Sequence, residues 1–314
     1  MKLSVHIVTY NSAEDINDCL QAVFKQTYPI REIIIIDNAS TDGTKEQLQK
    51  YRERCRVSIN SSNVGFAQGH NQAIQLSNAD YYLVLNPDVV LHPDYLYHLM
   101  KIVENNPAVG SLTGKLLSAE HPDLIDSTGL DIKASRRCFD RGQGQPEANF
   151  NEPAEVFGVS GAAALYSRAM VEDISWKGEF FDETFFAYKE DIDVAWRAQI
   201  RGWTSRYVPE ATAHHERGWK PKSRNSRPLF IRKYSYINRY QMMLKNESPL
   251  YMLRGAFRIL PFEIASFGYM LLKEPQVLGA WVDLVRNIPE ILEKRRHLMR
   301  GRKRGWKEIY RFFT

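Results

Sequence analysis

Cysteine is scarce. Cys19, Cys55 and Cys138 are an odd, scattered set in 314 residues. They make neither a disulfide framework nor the paired spacing of a zinc site, which fits a reducing compartment. Long apolar runs are missing too. The most apolar stretch, residues 259–272, is 14 residues long and holds Pro261 and Glu263, short of the ~20 residues that cross a bilayer. Residues 1–9 are too short and too polar afterwards for a signal peptide and read as a first β-strand. No Gly-x-x-x-x-Gly-Lys-Ser/Thr loop, Gly-x-Gly-x-x-Gly fingerprint or Gly-x-Ser-x-Gly elbow occurs. Their absence argues against P-loop hydrolysis, dinucleotide redox chemistry and a hydrolase elbow. What remains is an ordinary globular balance, 44% hydrophobic and 25% charged, long enough for a large core or for one domain with an appendage.

The first hundred residues alternate apolar strands with amphipathic helices. Strands are expected at residues 3–9, 33–36, 57–59 and 81–85. Helices are expected after Ser12 (with Asp15 in a capping box), after Thr44 and over residues 67–76. The run of four isoleucines at 33–36 indicates a strand buried on both faces. This alternation implies an α/β fold around a parallel sheet, with ligands at the carboxyl ends of the strands. Residues 107–165 read as short strands and polar loops, with an exposed, mobile loop at 142–146. Gly158 and Gly161, inside the apolar stretch 156–166, imply close backbone approach. Residues 204–208 read as a strand followed by His214-His215, and 216–228 as a loop or linker. From Arg232 the chain reads as helical, broken near Pro249, Pro261, Pro275 and Pro289.

Four places are candidates for chemistry. The run 37–44 follows a buried strand. Asp37 there can accept hydrogen bonds from a nucleobase or ribose, or the segment is turn chemistry alone. Asn86-Pro87-Asp88 follows another strand. It is either a proline turn or a carboxylate aimed to hold a divalent cation against a diphosphate. His214-His215 is structural, exposed, or the completion of that cation site. Zinc is disfavoured, since no cysteine partner or His-x-x-x-His spacing accompanies the pair. Glu190, Asp191 and Asp193 open a helix in which Ile192, Ala195, Trp196 and Gln199 form the apolar face and Gly202 is the stop. Acidic first turns suit the helix dipole without any catalysis. Asp193 and Arg197, spaced i,i+4, can simply pair.

In order and together, residues 8–11, 36–44, 63–71, 85–88 and 189–193 resemble the family 2 inverting glycosyltransferases, closest to a rhamnosyltransferase-like branch, over about residues 3–220. The resemblance implies a GT-A fold: Rossmann-like α/β with a mostly parallel central sheet, helices on both faces and a C-terminal helical extension. It implies a catalytic domain over 1–222, with a nucleotide-sugar half at about 1–105 and an acceptor half at about 106–222. It places Thr9, Tyr10, Asn11, Asp37, Asn38, Asn63, Gly65, Asn71 and Asn86 at the donor. Asp88 and His215, with His214 second, would hold Mg²⁺ or Mn²⁺. Asn86 stands where the fuller motif has its first Asp, which removes one anionic ligand. Asp191 would be the base, supported by Glu190. The implied donor is a dTDP- or UDP-sugar, dTDP-L-rhamnose first, and the acceptor a lipid-linked glycan of a bacterial surface polysaccharide. The alternatives of another class are a sugar-phosphate nucleotidyltransferase, which wants a Gly-rich basic loop absent after the first strand, and a non-catalytic membrane-surface scaffold.

Charge is uneven. Residues 286–314 hold ten Lys/Arg against three Glu, a net of +7, which leaves the other 285 residues near −2. With Trp281, Trp306 and the apolar 259–272, region 223–314 reads as a basic amphipathic tail for an anionic membrane surface. That places the protein in the cytoplasm, on the inner face of the cell membrane. The other readings are a helical cap on the core or a homo-oligomer interface. Nucleic acid is not expected, since no recognition motif accompanies the charge.

Overall fold

The structure, a computed structural model, describes residues 1–106, 108–217 and 228–314. The first half runs β1 (Leu3–Thr9), α1 (Ile16–Phe24), β2 (Glu32–Asp37), α2 (Thr44–Gln49), β3 (Arg56–Ile59), α3 (Gly65–Leu76) and β4 (Tyr81–Leu85). Strands β3, β2, β1 and β4 lie side by side, all parallel. The isoleucine run divides as a doubly covered strand requires. Ile33 and Ile35 join the core beneath α1 and α2, while Ile34 and Ile36 pack with Ala73 and Leu76 of α3. The chain leaves β1 toward β2 on one side and returns to β4 on the other. That reversal opens a crevice at the carboxyl ends of β1 and β4.

The second half adds β5 (Val89–Leu91), α4 (Tyr95–Asn105), β6 (Val109–Ser118), β7 (Ile125–Ser127), β8 (Leu130–Ile132), β9 (Cys138–Asp140), β10 (Ala154–Val156), β11 (Ala163–Ser167), α5 (Arg168–Ile174), α6 (Glu190–Arg201) and β12 (Thr204–His215). β11 inserts antiparallel between β4 and β6, and β12 pairs parallel with β6. Three expectations change. β6 is ten residues long and almost wholly buried, because it lies inside the sheet with partners on both sides. β12 does not end at Val208. Its register shifts between Val208 and Thr212, and this irregularity absorbs Pro209, which cannot donate to a ladder. His214 and His215 are therefore the last residues of the strand. Ser12 does not cap α1, which begins at Ile16 with Asp15 before it and no side-chain cap. The Ser12 hydroxyl accepts instead from the Tyr10 N–H (3.3 Å) and so braces the loop after β1.

The tail forms α7 (Leu229–Asn246), α8 (Pro249–Arg254), α9 (Ala256–Lys273), α10 (Ala280–Arg300) and α11 (Trp306–Tyr310). Pro249 and Pro275 begin elements, whereas Pro261 and Pro289 sit inside α9 and α10. The expected breaks there do not occur, because residues on both sides of each proline are packed. Ile259 and Met270 flank the first and Leu284 and Ile291 the second. Residues 218–227, around the expected domain boundary at 222 and most of the 216–228 linker, lie outside the described residues.

This tail shares a core with the preceding residues. Met242, Met243, Ile259, Leu298 and Ile309 pack with Phe157, Phe185 and Trp196. Lys245 Nζ lies 2.5 Å from Asp182 and 2.9 Å from Asp193, and Lys294 Nζ lies 2.8 Å from Asp182. Burial opposes ionisation of Asp182, but the two ammonium groups outweigh it and hold the carboxyl far below its usual range. Arg136 and Glu247 pair at 2.6 Å, each side chain only 3% exposed. Breaking such a pair leaves a buried charge uncompensated. Glu247→Ala is expected to cost about 3–5 kcal/mol in chemical denaturation, and a loss near that of an exposed ion pair would contradict the weld.

Candidate active site

A cavity of about 580 Å³ opens where β1 and β4 end. Its first wall is built by cross-bonding of two loops. Asn11, in the left-handed region at φ 53°, accepts from the Thr41 N–H (2.8 Å), and its own N–H donates to Ser40 Oγ (2.9 Å). The Ser12 N–H donates to Thr44 Oγ1 (2.8 Å). Asn38 donates to the Gly65 carbonyl (3.0 Å) and accepts from Asn60 (2.9 Å). Tyr10 stands half-exposed in the lining of the cavity. Behind this wall Asp37 is fully buried. One of its oxygens accepts from Thr9 Oγ1 (3.0 Å) and Ser40 Oγ (2.5 Å), the other from the Ser40 N–H (3.0 Å).

The opposite wall is the start of α6. Asp191 accepts from the Gly161 N–H (3.2 Å) and from the Ile192 N–H (2.8 Å). Gly161 has no room for a side chain without displacing Phe66, whose ring lies 3.1 Å from where a Cβ would stand. Gly158 is tighter still, since a Cβ would come within 2.1 Å of Ala195 on α6. Both close approaches follow the expectation for this apolar, glycine-bearing stretch. Burial first, and then the charge of Asp140, pushes the Asp191 carboxyl upward. Burial first, and then the charge of Asp191, pushes Glu190 higher. Glu190 Oε2 is buried with no hydrogen-bond partner among the described residues. Both carboxyls are therefore shifted toward holding a proton nearer neutrality, as buried like charges side by side are.

Asp193 has another fate. It pairs with Arg197 (2.8 Å) and Lys245 and accepts from Asn246 (2.8 Å), fully buried. The bland reading of this residue is the one the structure shows.

Between the walls, at the mouth of β4 and β12, His215 Nε2 lies 3.4 Å from Asp88 Oδ1. His215 Nδ1 lies 2.7 Å from Asp126, which also accepts from Arg217 Nε (2.5 Å). Arg217 reaches on to Asp140 (2.7 Å). Burial alone would lower the imidazole pKa, but the hydrogen bonds to Asp126 and Asp88 outweigh it and lift it to about 9. A carboxylate and an imidazole side by side, with the second ring nitrogen held by another carboxylate, suit a divalent cation such as Mn²⁺ or Mg²⁺. Among the described residues no group of three metal-ligating side chains forms. A cation held here would therefore complete its shell with substrate oxygens or water.

Of the residues singled out from sequence, Tyr10, Asn11, Asn38, Asn63, Gly65, Asn86, Asp88, Glu190, Asp191 and His215 line this one cavity. Thr9, Asp37 and Asn71 do not. Thr9 and Asp37 brace each other behind the wall. Asn71 bonds both backbone groups of Phe181 (2.8 and 2.9 Å), strapping α3 to the segment that leads into α6. His214 is exposed on the other side of β12. Asp15 also lines the cavity, although the sequence offered it only as a helix cap.

Residues 4–175 match the profile described as glycosyl transferase family 2. This chain belongs to glycosyl transferase family 2. A poly-beta-1,6-N-acetyl-D-glucosamine synthase of Staphylococcus aureus (strain COL) is 27% identical over 209 residues, covering 65% of this chain and 47% of that one. Its counterpart in Staphylococcus epidermidis is 24% identical over 212 residues, covering 67% and 48%. The chain thus spans about half the length of the curated relatives it matches. Among solved structures, S. aureus TarS 1–349 in complex with UDP-GlcNAc superposes with a TM-score of 0.55 at 16% identity, covering 96% of this chain and 89% of that one. GalNAc-T7 with UDP, GalNAc and Mn²⁺ gives 0.58 at 15% identity, covering 80% and 52%. A mannosyltransferase of Pyrobaculum calidifontis with GDP-Man and Mn²⁺ gives 0.53 at 16%, covering 96% and 85%. At these identities the likeness is one of fold, and the fold is GT-A.

Sequence reading of this family 2 chain missed the residues that hold the loop leading into α6. Phe186, Tyr188 and Lys189 all have positive φ (57°, 72° and 71°), which L side chains adopt at a cost of about 1–3 kcal/mol each. The Phe186 carbonyl accepts from the Phe66 N–H (2.8 Å) at the start of α3. Gly65 must be glycine there, since a Cβ would lie 2.5 Å from that carbonyl. From the other side Asn238 of α7, fully buried, donates to the carbonyls of Phe185 (2.9 Å), Ala187 (2.9 Å) and Tyr188 (2.8 Å). Nothing local marks Asn238, which lies 50 residues from Tyr188, the nearest of the three in sequence. Asn238→Ala is expected to destabilise by about 1–3 kcal/mol and to speed amide exchange at residues 186–189. Unchanged exchange there would contradict the clamp.

Proposed function

We propose that this chain catalyses inverting transfer of a sugar from a nucleoside diphosphate sugar to an acceptor hydroxyl. One observation supports it most. A single cavity carries an aromatic and amide wall at Tyr10, Asn11 and Asn38, the Asp88–His215 pair, and facing them the Glu190–Asp191 pair. The first wall suits a nucleoside, with Tyr10 offering a stacking face. Asp88 and His215 would hold Mg²⁺ or Mn²⁺, and a cation there supplies positive charge beside the departing diphosphate. Asp126 and Arg217 keep the His215 ring oriented toward Asp88.

Asp191 takes the proton of the acceptor hydroxyl as that oxygen bonds to the anomeric carbon. The bond from the same carbon to the diphosphate oxygen breaks, and the nucleoside diphosphate leaves with the electron pair. The displacement is in line, so the anomeric configuration inverts. Gly161 and Ile192 aim the Asp191 carboxylate through their N–H groups. Glu190, protonated, donates a hydrogen bond to an acceptor oxygen or to Asp191.

The donor is a nucleotide sugar. The relatives named above carry N-acetylglucosamine in their names, and the neighbouring structures hold UDP-GlcNAc, UDP with GalNAc, or GDP-Man. This supports a UDP-N-acetylhexosamine as the first donor to test, with dTDP-L-rhamnose as the second. A lipid-linked glycan is the acceptor class, consistent with relatives that are named as polysaccharide synthases.

Thermal shift with UDP-GlcNAc, dTDP-L-rhamnose and GDP-Man, each with and without Mn²⁺, is expected to raise the unfolding midpoint for one donor. No shift with any nucleotide sugar would overturn the reading. Asp191→Asn is expected to keep that shift while transfer falls by about 10²–10⁴; near-normal turnover would remove Asp191 as the base. Because the base acts deprotonated and burial raises its pKa to about 6, kcat/KM is expected to rise as pH increases through about 6. A profile flat down to the ordinary carboxylate range would contradict this.

A further inference from the structure

The outer face of the tail is apolar in the wrong direction. Phe257, Leu260, Ile264, Phe267 and Leu271 of α9 follow one another at intervals of three and four residues, so they share one face. Such a stripe ordinarily faces a core. Here the core side of α9 is taken by Ile259 and Met270, and the stripe points to solvent, with Phe257 70% and Ile264 71% exposed. Leu253 of α8, 75% exposed, extends it. An exposed apolar surface of this kind marks a contact with something else.

Charge identifies the occupant. Glu263 is the sole acid in residues 249–273. It turns inward to Arg239 and Tyr240 of α7. The exposed charges on α8 and α9 are therefore all positive: Arg254 and Arg258 near one end of the stripe and Lys273 at the other. A second copy laid antiparallel on this face would set Arg258 against the partner copy's cationic end, which opposes association. An anionic lipid surface answers both features, since acyl chains accept the stripe and headgroups the cations. No helix among the described residues is long and apolar enough to cross a membrane, so α9, about 27 Å long at 1.5 Å per residue, would lie in the interface plane.

We propose that α8 and α9 form a docking face for an anionic bilayer, lying at the boundary of headgroups and acyl chains. This moves membrane contact away from the basic tail. Several tail cations are occupied within the protein: Lys294 with Asp182, Arg295 on the carbonyls of Leu244 and Lys245, Arg304 on Gln199, and Arg311 with Glu155. It also ties the bilayer to the loop leading into α6, because α9 is bonded to α7 at Arg239 and Tyr240, next to Asn238.

Flotation of the full chain with phosphatidylcholine vesicles, with and without phosphatidylglycerol, tests the face without donor or acceptor, so its outcome is separate from that of sugar transfer. The chain is expected to float with phosphatidylglycerol vesicles. Phe257→Ser/Ile264→Ser/Phe267→Ser is expected to weaken partitioning by about 100-fold. Arg254→Glu/Arg258→Glu/Lys273→Glu is expected to weaken it by about 10-fold or more, as added salt does. All six residues are exposed, so both variants should keep the wild-type unfolding midpoint. If the serine variant does not fold, the charge variant decides alone. Failure of the wild type to float, or wild-type partitioning by a folded variant, would overturn the proposal. So would a wild-type dimer that the serine variant turns into a monomer, since the face would then belong to a second copy.

Discussion

The backbone of Phe185 to Lys189 adopts a conformation that it would not keep alone. Its three left-handed residues are unfavourable, and the cost is offset by hydrogen bonds from opposite directions. The first turn of α3 holds the Phe186 carbonyl, and Asn238 of α7 holds the carbonyls on either side of it. Aromatic contact adds to this, as the Phe186 ring stacks on Tyr234 of α7 at 5.1 Å and 12°. The loop therefore ends where two distant parts of the chain agree that it should, and α6 starts from that point. The carboxylates Glu190 and Asp191 are placed by α3 and α7 together. The tail thus helps to build the wall of the cavity that carries these carboxylates.

One helical turn shows how environment divides identical chemistry. Asp193 meets Arg197, Lys245 and Asn246, so burial costs it little and it becomes a structural anchor. Glu190 and Asp191, in the same turn, meet backbone N–H groups and each other, and among the described residues no comparably close cation. Burial then raises their pKa values. Carboxyls whose proton affinity is raised toward neutrality are what acid–base work at neutral pH requires. The buried ammonium groups of Lys245 and Lys294 hold the Asp182 carboxyl far below its usual range and weld the tail to the core.

The Asp88–His215 pair depends on the same kind of support. His215 is fixed through Asp126 from β7, and Asp126 is fixed by Arg217, which also reaches Asp140 of β9. Three short segments thus set the angle of one imidazole. The irregularity at Pro209 lets β12 continue far enough to deliver that ring beside Asp88.

Much of the fold was legible in the sequence. Alternating apolar strands and amphipathic helices, the isoleucine run and the acidic start of α6 report local period and burial, and these are properties of adjacent residues. Family membership was legible too, because it lies in short motifs in a fixed order. Tertiary structure alone decided which polar residues reach the cavity. Thr9, Asp37 and Asn71 belong to the motifs, yet their hydrogen bonds are spent behind the wall. His215 rather than His214 faces Asp88, because successive side chains of a strand point to opposite sides. Asp126, Arg217 and Asn238 carry no local signal, since their partners are tens of residues away. The outward stripe of α9 has the spacing of a core helix, and only packing could show that its other side already fills that role. Period and composition are set along the chain; hydrogen-bond partners and the direction of a face are set by what folds against it.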